Sequence, residues 1–433
     1  MKLKRFICII LAAAMLICLA ACGKTDDNKR GGTDRKGSAK SGDLMTDVKA
    51  GTVNERAADD AFIASQMRLA VELFKKTAAE GKADGDNLLI SPLSIQLALA
   101  MTANGAKGKT LDEMAKLLGG EFTLDTLNEY LHTYVASLPS TEMSKLEIAN
   151  SVWFRDVETL DVLPGFLQKN ADYYGAQAYK EPFNGETANK VNDWIDKRTD
   201  GMIKKVIDGI DPSVMLYLIN AVCFNAEWEE IYEDISIMDR EFTNVNGVKK
   251  KVEMMGSEEH NYICDDKAEG FIKYYAGRKY AFAALLPKEG VDVYDYIAGL
   301  TGEGLAETLK GANDDLVHAG LPKFKYDYET SLVETLRSLG MKDAFDQEKA
   351  DLTGIGTSED GNLYIGNVLH KTHIDVDERG TKAGAITVVE VLCGSALIEN
   401  THTVTLDRPF VYMLIDCSTN LPFFIGAVTD IGE

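Results

Sequence analysis

The sequence has few cysteines beyond its first residues, and they are not grouped. Of the seven cysteines, only Cys223, Cys264, Cys393 and Cys417 follow residue 22, and no two of these four have the C-x-x-C spacing. Structural zinc sites and small disulfide-rich domains both need cysteines at short, regular spacings. The sequence therefore argues against both classes and leaves open one incidental disulfide.

Positive charge is scarce as well. The 433 residues include 46 Lys and Arg against 68 Asp and Glu, a formal net charge of −22. Because such a chain repels phosphate backbones, nucleic acid is not expected as a partner. The 45% of hydrophobic residues is ordinary for a globular protein, so the chain is long enough for one large domain or two smaller ones.

The motifs of common hydrolases and nucleotide-binding proteins are missing or incomplete. No G-x-S-x-G nucleophile elbow occurs. The stretch "GAKGKT" at residues 105–110 looks like the end of a phosphate-binding loop, but Ala103 stands where that motif needs glycine. A helix rather than a strand is expected before it, so we interpret it as a turn between helices.

A cysteine nucleophile at residues 393–395 is a further catalytic hypothesis. Cys393-Gly394-Ser395 resembles a fragment of the papain-type signature, and His402 follows it, but Ala396 and Leu397 stand where that signature continues with Cys and an aromatic residue. A thiol nucleophile also prefers an electropositive setting, whereas acidic residues flank this one. A cysteine hydrolase using Cys393 stays as an alternative.

The stretch "HKTHIDVDE" at residues 370–378 offers ligand-type side chains. On a strand, His373, Asp375 and Asp377 would share one face while His370 points to the other. A metal site is conceivable there, but the pattern favours a buried, hydrogen-bonded histidine beside a charged turn. We expect neither a metal nor a cofactor.

The first 22 residues have the pattern of a targeting segment. Three basic residues precede an apolar run, Phe6 to Leu19, of about 14 residues, which is shorter than a membrane-spanning helix needs. It ends in Leu19-Ala20-Ala21-Cys22, which resembles the lipobox of bacterial lipoproteins. That resemblance implies a lipoprotein signal peptide over residues 1–22 and a secreted protein anchored at the cell surface by lipidated Cys22. An ordinary cleaved signal peptide is the alternative.

The segment after the leader is poor in residues that could form a core. Residues 23–57 contain no aromatic side chain and are rich in Gly, Lys, Asp, Ser and Thr, so a flexible tether is predicted. A single folded domain is predicted over residues 58–433.

Local patterns in that domain predict helices early and strands late. Ser91-Pro92 is a helix start, and the helix should stop at Gly105. Thr110 and Glu113 suggest a capping box for the next helix. Apolar stretches near residues 214–224, 280–287, 408–416 and 422–430 predict strands. The mixture indicates an α+β fold rather than a regular βαβ alternation.

The stretch "TKAGAITVVEVLCGS" at residues 381–395 is compatible with two states. Its alternation puts Thr381, Ala383 and Ala385 on one small, neutral face of a strand. Its charged and polar flanks are typical of a loop.

Five blocks, taken in order, resemble the serpin family of serine protease inhibitors across nearly the whole domain. They are "NLLISPLSIQLALAMTANGAKGKTLDEMAKLLG" from residue 87, "INAVCFNAEWEE" from 219, "LVETLRSLGMKDAFD" with "ADLTGI" from 332, "VLHKTHIDVDERGTKAGAIT" from 368, and "DRPFVYMLIDCSTNLPFFIGAVTD" from 407. The resemblance implies three β-sheets, eight or nine helices and an exposed reactive loop. It also implies suicide inhibition, in which a protease cleaves the loop, becomes trapped as an acyl-enzyme, and is displaced as the loop adds a strand to the central sheet.

The same resemblance implies roles for individual residues. Glu378, Gly380, Thr381, Ala383 and Ala385 would form the hinge, with Glu378 paired to a lysine that the sequence does not identify. Ser91, Ser94, Asn220 and His370 would form the shutter, a polar cluster under the central sheet that must part for the loop. Trp228 would lie in the breach, where insertion starts. The alternative for this second group is plain core packing.

The family's spacing from Glu378 puts the cleaved bond at Gly394–Ser395, with Cys393–Gly394 and Leu392–Cys393 as alternatives. The nearby residues are small or aliphatic, and none is Arg or Lys. We therefore expect an elastase- or subtilisin-like serine protease as partner, with a cysteine protease left open. The protein itself is expected to be a monomer and not an enzyme; a non-inhibitory serpin is the alternative.

Overall fold

A computed structural model describes the chain between residues 42 and 431. Four short gaps and one longer gap interrupt this range. The described residues are 42–82, 85–199, 201–211, 214–359, 362–381 and 400–431. The leader with Cys22, residues 23–41, and residues 382–399 lie outside them. The predictions for Ala383, Ala385 and the cleaved bond therefore concern residues that the structure does not describe.

The helices begin where the sequence offers capping groups. At the second helix, the Ser91 Oγ accepts a hydrogen bond from the Ser94 N–H at 3.2 Å, and Pro92 occupies the first helical position. The nine α-helices of the described residues are α1 Asp60–Gly81, α2 Pro92–Ala103, α3 Gly108–Gly119, α4 Leu124–Ser137, α5 Pro164–Tyr174, α6 Gly185–Arg198, α7 Val293–Gly299, α8 Gly302–Lys310 and α9 Val333–Ser338. No helix among the described residues is long and apolar enough to cross a membrane.

The strands form three large sheets and one two-stranded ladder. The central sheet has the order β1 (Gly42–Asp43), β5 (Gln177–Glu181), β3 (Ser144–Arg155), β6 (Leu216–Glu227), β16 (Gly380–Thr381), β15 (Leu369–Val376) and β13 (Phe324–Ser331). The second sheet has the order β2 (Leu88–Ile90), β19 (Pro422–Val428), β18 (Phe410–Asp416), β11 (Tyr280–Pro287), β10 (Ala268–Tyr274) and β9 (Tyr262–Cys264). The third has the order β17 (Thr401–Thr405), β12 (Leu316–Pro322), β8 (Lys249–Glu259) and β7 (Ile237–Thr243), and the ladder joins β14 (Gly356–Thr357) to β4 (Asp161–Val162).

Helix α2 lies in the core, where it contacts β6 of the central sheet and β19 of the second sheet. All twelve of its residues are buried, which fits a sequence that is apolar around the whole helix. Strands β11, β18 and β19 are also buried along their full lengths. The α+β architecture expected from the sequence, with three main sheets and eight or nine helices, is confirmed.

The predicted capping box is wrong. Helix α3 begins at Gly108, one turn earlier than expected, with Lys107 as N-cap. The Thr110 hydroxyl instead accepts a hydrogen bond from the Asp351 N–H at 2.9 Å, and the Glu113 carboxylate accepts one from the Asp343 N–H at 2.8 Å. A loop distant in sequence thus binds the two side chains that local reasoning had assigned to the helix end.

The predicted tether extends too far. Gly42 and Asp43 pair with β5 in the central sheet, and the Leu44 N–H donates to the Ala178 carbonyl at 2.8 Å. Further along, Gly51 N–H donates to the Asp172 carboxylate at 2.7 Å, and Arg56 forms an ion pair with Glu129 at 3.1 Å. Residues 42–57 therefore lie along the domain, held by backbone and polar side-chain bonds and by Leu44, Met45 and Val48, which pack against the core.

Candidate functional site

The central sheet changes its pairing pattern at β6. On one side, β6 pairs with β3 along almost its whole length, from Ala226 to Leu216. On its other side, the described residues pair with it only through β16, where Gly380 lies opposite Glu227 and Thr381 opposite Ala226. Strand β15 likewise pairs fully with β13 but meets β16 only at Val376. Beyond β16, the described parts of β6 and β15 are neighbouring strands without a shared ladder.

Strand β16 contains two of the residues expected to form the hinge, and it lies at one end of this interval. Thr381 is 4% exposed, and its side chain points into the core as the alternation predicted. A Cβ on Gly380 would lie only 2.0 Å from the Ala226 carbonyl oxygen. Glycine is thus required at residue 380 for close backbone approach to β6, in addition to any flexibility it gives the hinge.

The turn that leads into the hinge is held by hydrogen bonds from two directions. The Asp377 carboxylate accepts hydrogen bonds from Arg379 N–H at 2.8 Å and Gly380 N–H at 3.1 Å. Burial raises the pKa of Asp377, and these two backbone bonds oppose that effect. From the other side, the Trp228 N–H donates to the Arg379 carbonyl at 2.8 Å, and the Tyr232 N–H donates to the Glu378 carbonyl at 2.9 Å.

The lysine partner of Glu378 is Lys323, which sequence reasoning did not identify. Its Nζ lies 2.8 Å from Glu378 Oε2 and 3.4 Å from Glu253 Oε1. The hydrogen bond from Lys323 lowers the pKa of Glu378. Lys323 stands between β12 and β13, and its own N–H donates to the Glu253 carbonyl at 2.9 Å. With 46 Lys and Arg in the chain, only the fold selects this one.

The four predicted shutter residues lie together beneath the two facing strands. The Ser91 N–H donates to His370 Nε2 at 3.0 Å, which ties the start of α2 to β15. The Ser94 hydroxyl donates to the Asn220 side-chain oxygen, which ties the same helix end to β6. Burial lowers the pKa of His370 to about 4, so its imidazole is neutral and accepts through Nε2.

Asn150 extends this cluster and was missed by sequence reasoning. The Asn220 amide donates to the Asn150 side-chain oxygen, and the Asn150 amide donates to the Tyr174 carbonyl at 3.1 Å. The sequence alone did not predict a role for Asn150, because its contact with Asn220 depends on the register in which β3 pairs with β6. The buried polar groups of the shutter are thereby satisfied by one another.

The breach residue Trp228 lies beside the hinge, as predicted. Its indole N–H donates to the Asp377 carbonyl at 2.9 Å, and its ring stacks on Tyr275 with centroids 4.4 Å apart. The buried Lys273 lies beneath, 2.8 Å from Glu259 and 5.7 Å from the Trp228 ring centroid. An ion pair and a cation–π contact thus support the tryptophan from below.

The hinge with Trp228 and the shutter occupy different positions along the same interval. Thr381 lies opposite Ala226, whereas Asn220 is six residues further along β6, a separation of about 20 Å in an extended strand. The hinge residues and Trp228 therefore lie at the end where an added strand would enter. The shutter lies beneath the path of that strand.

Two of the side chains considered for a metal form cross-strand pairs instead. His373 and Asp375 stand directly opposite Asp327 and Lys325 in the β13–β15 ladder, at 2.7 Å and 2.6 Å. Across the described ranges, no group of three or more His, Cys, Asp or Glu side chains could hold a metal ion. Cys393 lies outside the described residues; His402 bonds to Asp315 at 3.0 Å and stacks on Tyr262.

Comparison with known proteins assigns the family. The family model described as serpin (serine protease inhibitor) matches residues 64–431. An uncharacterized serpin-like protein of Thermococcus kodakarensis is 30% identical over 362 residues, 82% of each chain. Leukocyte elastase inhibitor A of Mus musculus is 31% identical over 383 residues, covering 83% of this chain and 96% of its own.

Solved structures agree with this assignment. The native state of the thermophilic serpin tengpin is 48% identical, with a TM-score of 0.85, over 90% of this chain and 100% of its own. The latent state of tengpin gives a lower TM-score of 0.78 at 46% identity, over 87% of this chain and 100% of its own. The polar cluster, the hinge and these matches agree, and the chain belongs to the serpin family.

Proposed function

We propose that this serpin inhibits proteases as a suicide substrate whose cleaved loop inserts into the central sheet. The observation that carries the proposal is the position of the hinge. Gly380 and Thr381 already lie between β6 and β15, at the head of an interval where the described strands share no ladder. A loop continuing from Thr381 would therefore extend a strand that has begun in the correct register.

The energy for trapping a protease would come from the completed strand. A strand inserted between two others gains on the order of ten backbone hydrogen bonds, or about 5–15 kcal/mol at the usual net contribution of each. The small residues Thr381, Ala383 and Ala385 would enter first, and the shutter would have to part beneath them.

The expected target is a protease with a small apolar specificity pocket. The loop sequence around Gly394–Ser395 is small or aliphatic, which disfavours a trypsin-like enzyme. One relative at 31% identity is named as a leukocyte elastase inhibitor, which agrees with this class. An elastase- or subtilisin-like serine protease is therefore proposed, and a cysteine protease is the second class to test.

The test is incubation with a panel of serine and cysteine proteases, followed by denaturing gel electrophoresis and mass spectrometry. An adduct that survives denaturant, with a released C-terminal peptide, supports inhibition and locates the bond. Cleavage at Gly394–Ser395 releases 433 − 394 = 39 residues. Trypsin serves as the matched protease expected to form little adduct.

Two outcomes would overturn the proposal in different directions. Complete loop cleavage without an adduct by every protease would indicate a non-inhibitory serpin. Turnover of a small ester or peptide that is lost in the Cys393→Ala variant would indicate the cysteine-hydrolase alternative. An inhibitor shows no such turnover with or without Cys393.

We further propose that the protein is a bacterial lipoprotein, held at the outer face of a membrane by Cys22. The support is the lipobox-like end of its apolar leader. In a bacterial host, the full chain should incorporate a labelled fatty acid and partition into detergent. The Cys22→Ser variant should do neither; equal labelling of both proteins would exclude this anchor.

A further inference from the structure

One contact at the hinge is made by a side chain to which no role has been assigned. The phenol oxygen of Tyr275 lies 2.6 Å from the Thr381 hydroxyl oxygen. Tyr275 is fully buried and Thr381 is 4% exposed, so neither hydroxyl has access to bulk water. The bond joins the residue that follows β10 of the second sheet to Thr381 of β16 in the central sheet.

The ring of Tyr275 is held in place by its surroundings. It stacks on Trp228 with an interplanar angle of 10°, and it meets the Phe224 ring edge-on with centroids 5.0 Å apart. Its backbone N–H donates to the Tyr280 carbonyl at 3.1 Å. Because these contacts fix the ring, the phenol oxygen can bond a partner hydroxyl in only one position.

The two hydroxyls depend on each other. Each can donate or accept, so the pair is satisfied when Thr381 is inserted. If Thr381 left the sheet, the Tyr275 phenol would remain buried without this partner, which is unfavourable. Burial also raises the pKa of Tyr275, so the phenol keeps its proton and remains able to donate.

We propose that Tyr275 is a latch that holds Thr381 in the central sheet before the loop is cleaved. Insertion then starts from a strand end already in register with Ala226, and the first and least favourable pairing step is complete. This role makes Tyr275 a positioning residue for loop insertion, and it rests on the proposed inhibitory function. The latch itself is a property of the uncleaved protein.

The first test needs no protease. Amide hydrogen exchange of residues 377–381 is compared in the parent protein, Tyr275→Phe, Thr381→Val and the double variant. Each single variant should exchange about two- to tenfold faster, as expected for the loss of one hydrogen bond. The double variant should exchange no faster than the singles, because both remove the same bond.

Tyr280→Phe is the matched control. Tyr280 is also buried, and its phenol donates to the Pro139 carbonyl at 2.8 Å, away from the hinge. The Tyr280→Phe variant should lower the free energy of unfolding without changing amide hydrogen exchange at residues 377–381. Unchanged exchange in Tyr275→Phe, or an equal change in Tyr280→Phe, would overturn the latch; if Tyr275→Phe fails to fold, Thr381→Val decides the question.

The second test measures the number of inhibitor molecules consumed per adduct. This ratio should rise in Tyr275→Phe and Thr381→Val, because slower insertion lets more acyl-enzyme hydrolyse, while the rate of initial loop attack stays unchanged. An unchanged ratio in both variants would contradict the latch. If the parent protein forms no adduct with any protease, the inhibitory function fails, and the exchange experiment still confirms or refutes the hinge contact.

Discussion

His370 lies beneath the central sheet as a neutral imidazole, and its state depends on pH. Burial lowers the pKa of His370 to about 4 from an ordinary value of 6.5. The folded protein therefore binds a proton less readily than the unfolded chain. The stabilisation from a neutral His370 is fully present above pH 6.5 and is lost progressively as the pH falls towards 4.

Replacing His370 by glutamine should remove this pH dependence. The glutamine oxygen can accept the Ser91 hydrogen bond but does not titrate. The variant should therefore not lose stability through this position in acid, whereas the parent loses up to about 3 kcal/mol of unfolding free energy. In thermal unfolding measured from neutral pH to pH 4, the melting temperature of the parent should fall relative to that of the variant. The control His373→Gln changes an outward-facing histidine of the same strand and should keep the parent decline; a parallel pH course for all three would contradict the assignment.

Lys323→Met should loosen the hinge turn at neutral pH. Because both partners are partly exposed, the ion pair with Glu378 is expected to contribute under about 1 kcal/mol to stability. Its effect should be clearer in faster amide exchange at residues 377–380. Since the lysine lowers the pKa of Glu378 below 4.5, the pair contributes above that pH, and the difference between parent and variant should vanish well below it.

Lys325→Met is the matched control for that variant. Lys325 is two residues away, and its ion pair with Asp375, at 2.6 Å, lies on the outer face of the β13–β15 ladder. It should cost a similar small amount of stability without affecting the hinge turn. Equal exchange at residues 377–380 in both variants would show that Lys323 does not hold the turn.

The described part of strand β16 has two residues, and it joins two otherwise separate parts of the described sheet. Gly380→Ala should disrupt it, because the added Cβ would meet the Ala226 carbonyl at 2.0 Å. Overpacking of this kind costs about 1–3 kcal/mol. We expect more inhibitor consumed per adduct. Gly185→Ala, at an open position of α6, is the control and should behave as the parent; full efficiency of Gly380→Ala would show that β16 is dispensable.

Strands β13 and β15 behave as one element. Three directly opposed pairs of side chains join their outer faces, including Asp327 with His373 and Glu329 with Lys371. Opposite charges across a ladder stabilise it modestly. When the sheet parts between β6 and β15, the second strand should therefore carry its neighbour with it.

At the scale of the whole molecule, cleavage should convert stored energy into stability. A protease that cuts the loop without being trapped should raise the melting temperature of the parent protein, because the inserted strand adds about 5–15 kcal/mol of hydrogen bonding. Thr381→Arg should prevent the rise and turn the inhibitor into a substrate, since the site of Thr381 is 4% exposed and cannot hold a charged side chain. A stabilised, adduct-forming Thr381→Arg protein would contradict the hinge argument.

Sequence reasoning succeeded where local signals and pattern resemblance agreed. Ser91-Pro92 begins a helix, and the polar residues Asn220 and His370 both bond to the start of that helix under the sheet. It failed where a distant chain segment decides the outcome: Thr110 binds Asp351 instead of capping its helix, and Lys323 could not be told from other lysines. The docking of residues 42–57 was missed because their partners, such as Ala178, Asp172 and Glu129, are distant in sequence.

Strand β1 has a consequence for how separate molecules meet. It covers the outer edge of β5 with two residues, Gly42 and Asp43. An uncovered edge offers a row of free N–H and C=O groups to any extended chain, and so invites self-association. The described part of β1 ends in the Asp43 carboxylate, and a net charge of −22 disfavours the approach of another copy of the chain to this edge. The proposed mechanism needs a central sheet that accepts one strand of its own, and β1 disfavours the addition of a second copy of the chain at the edge strand of that sheet.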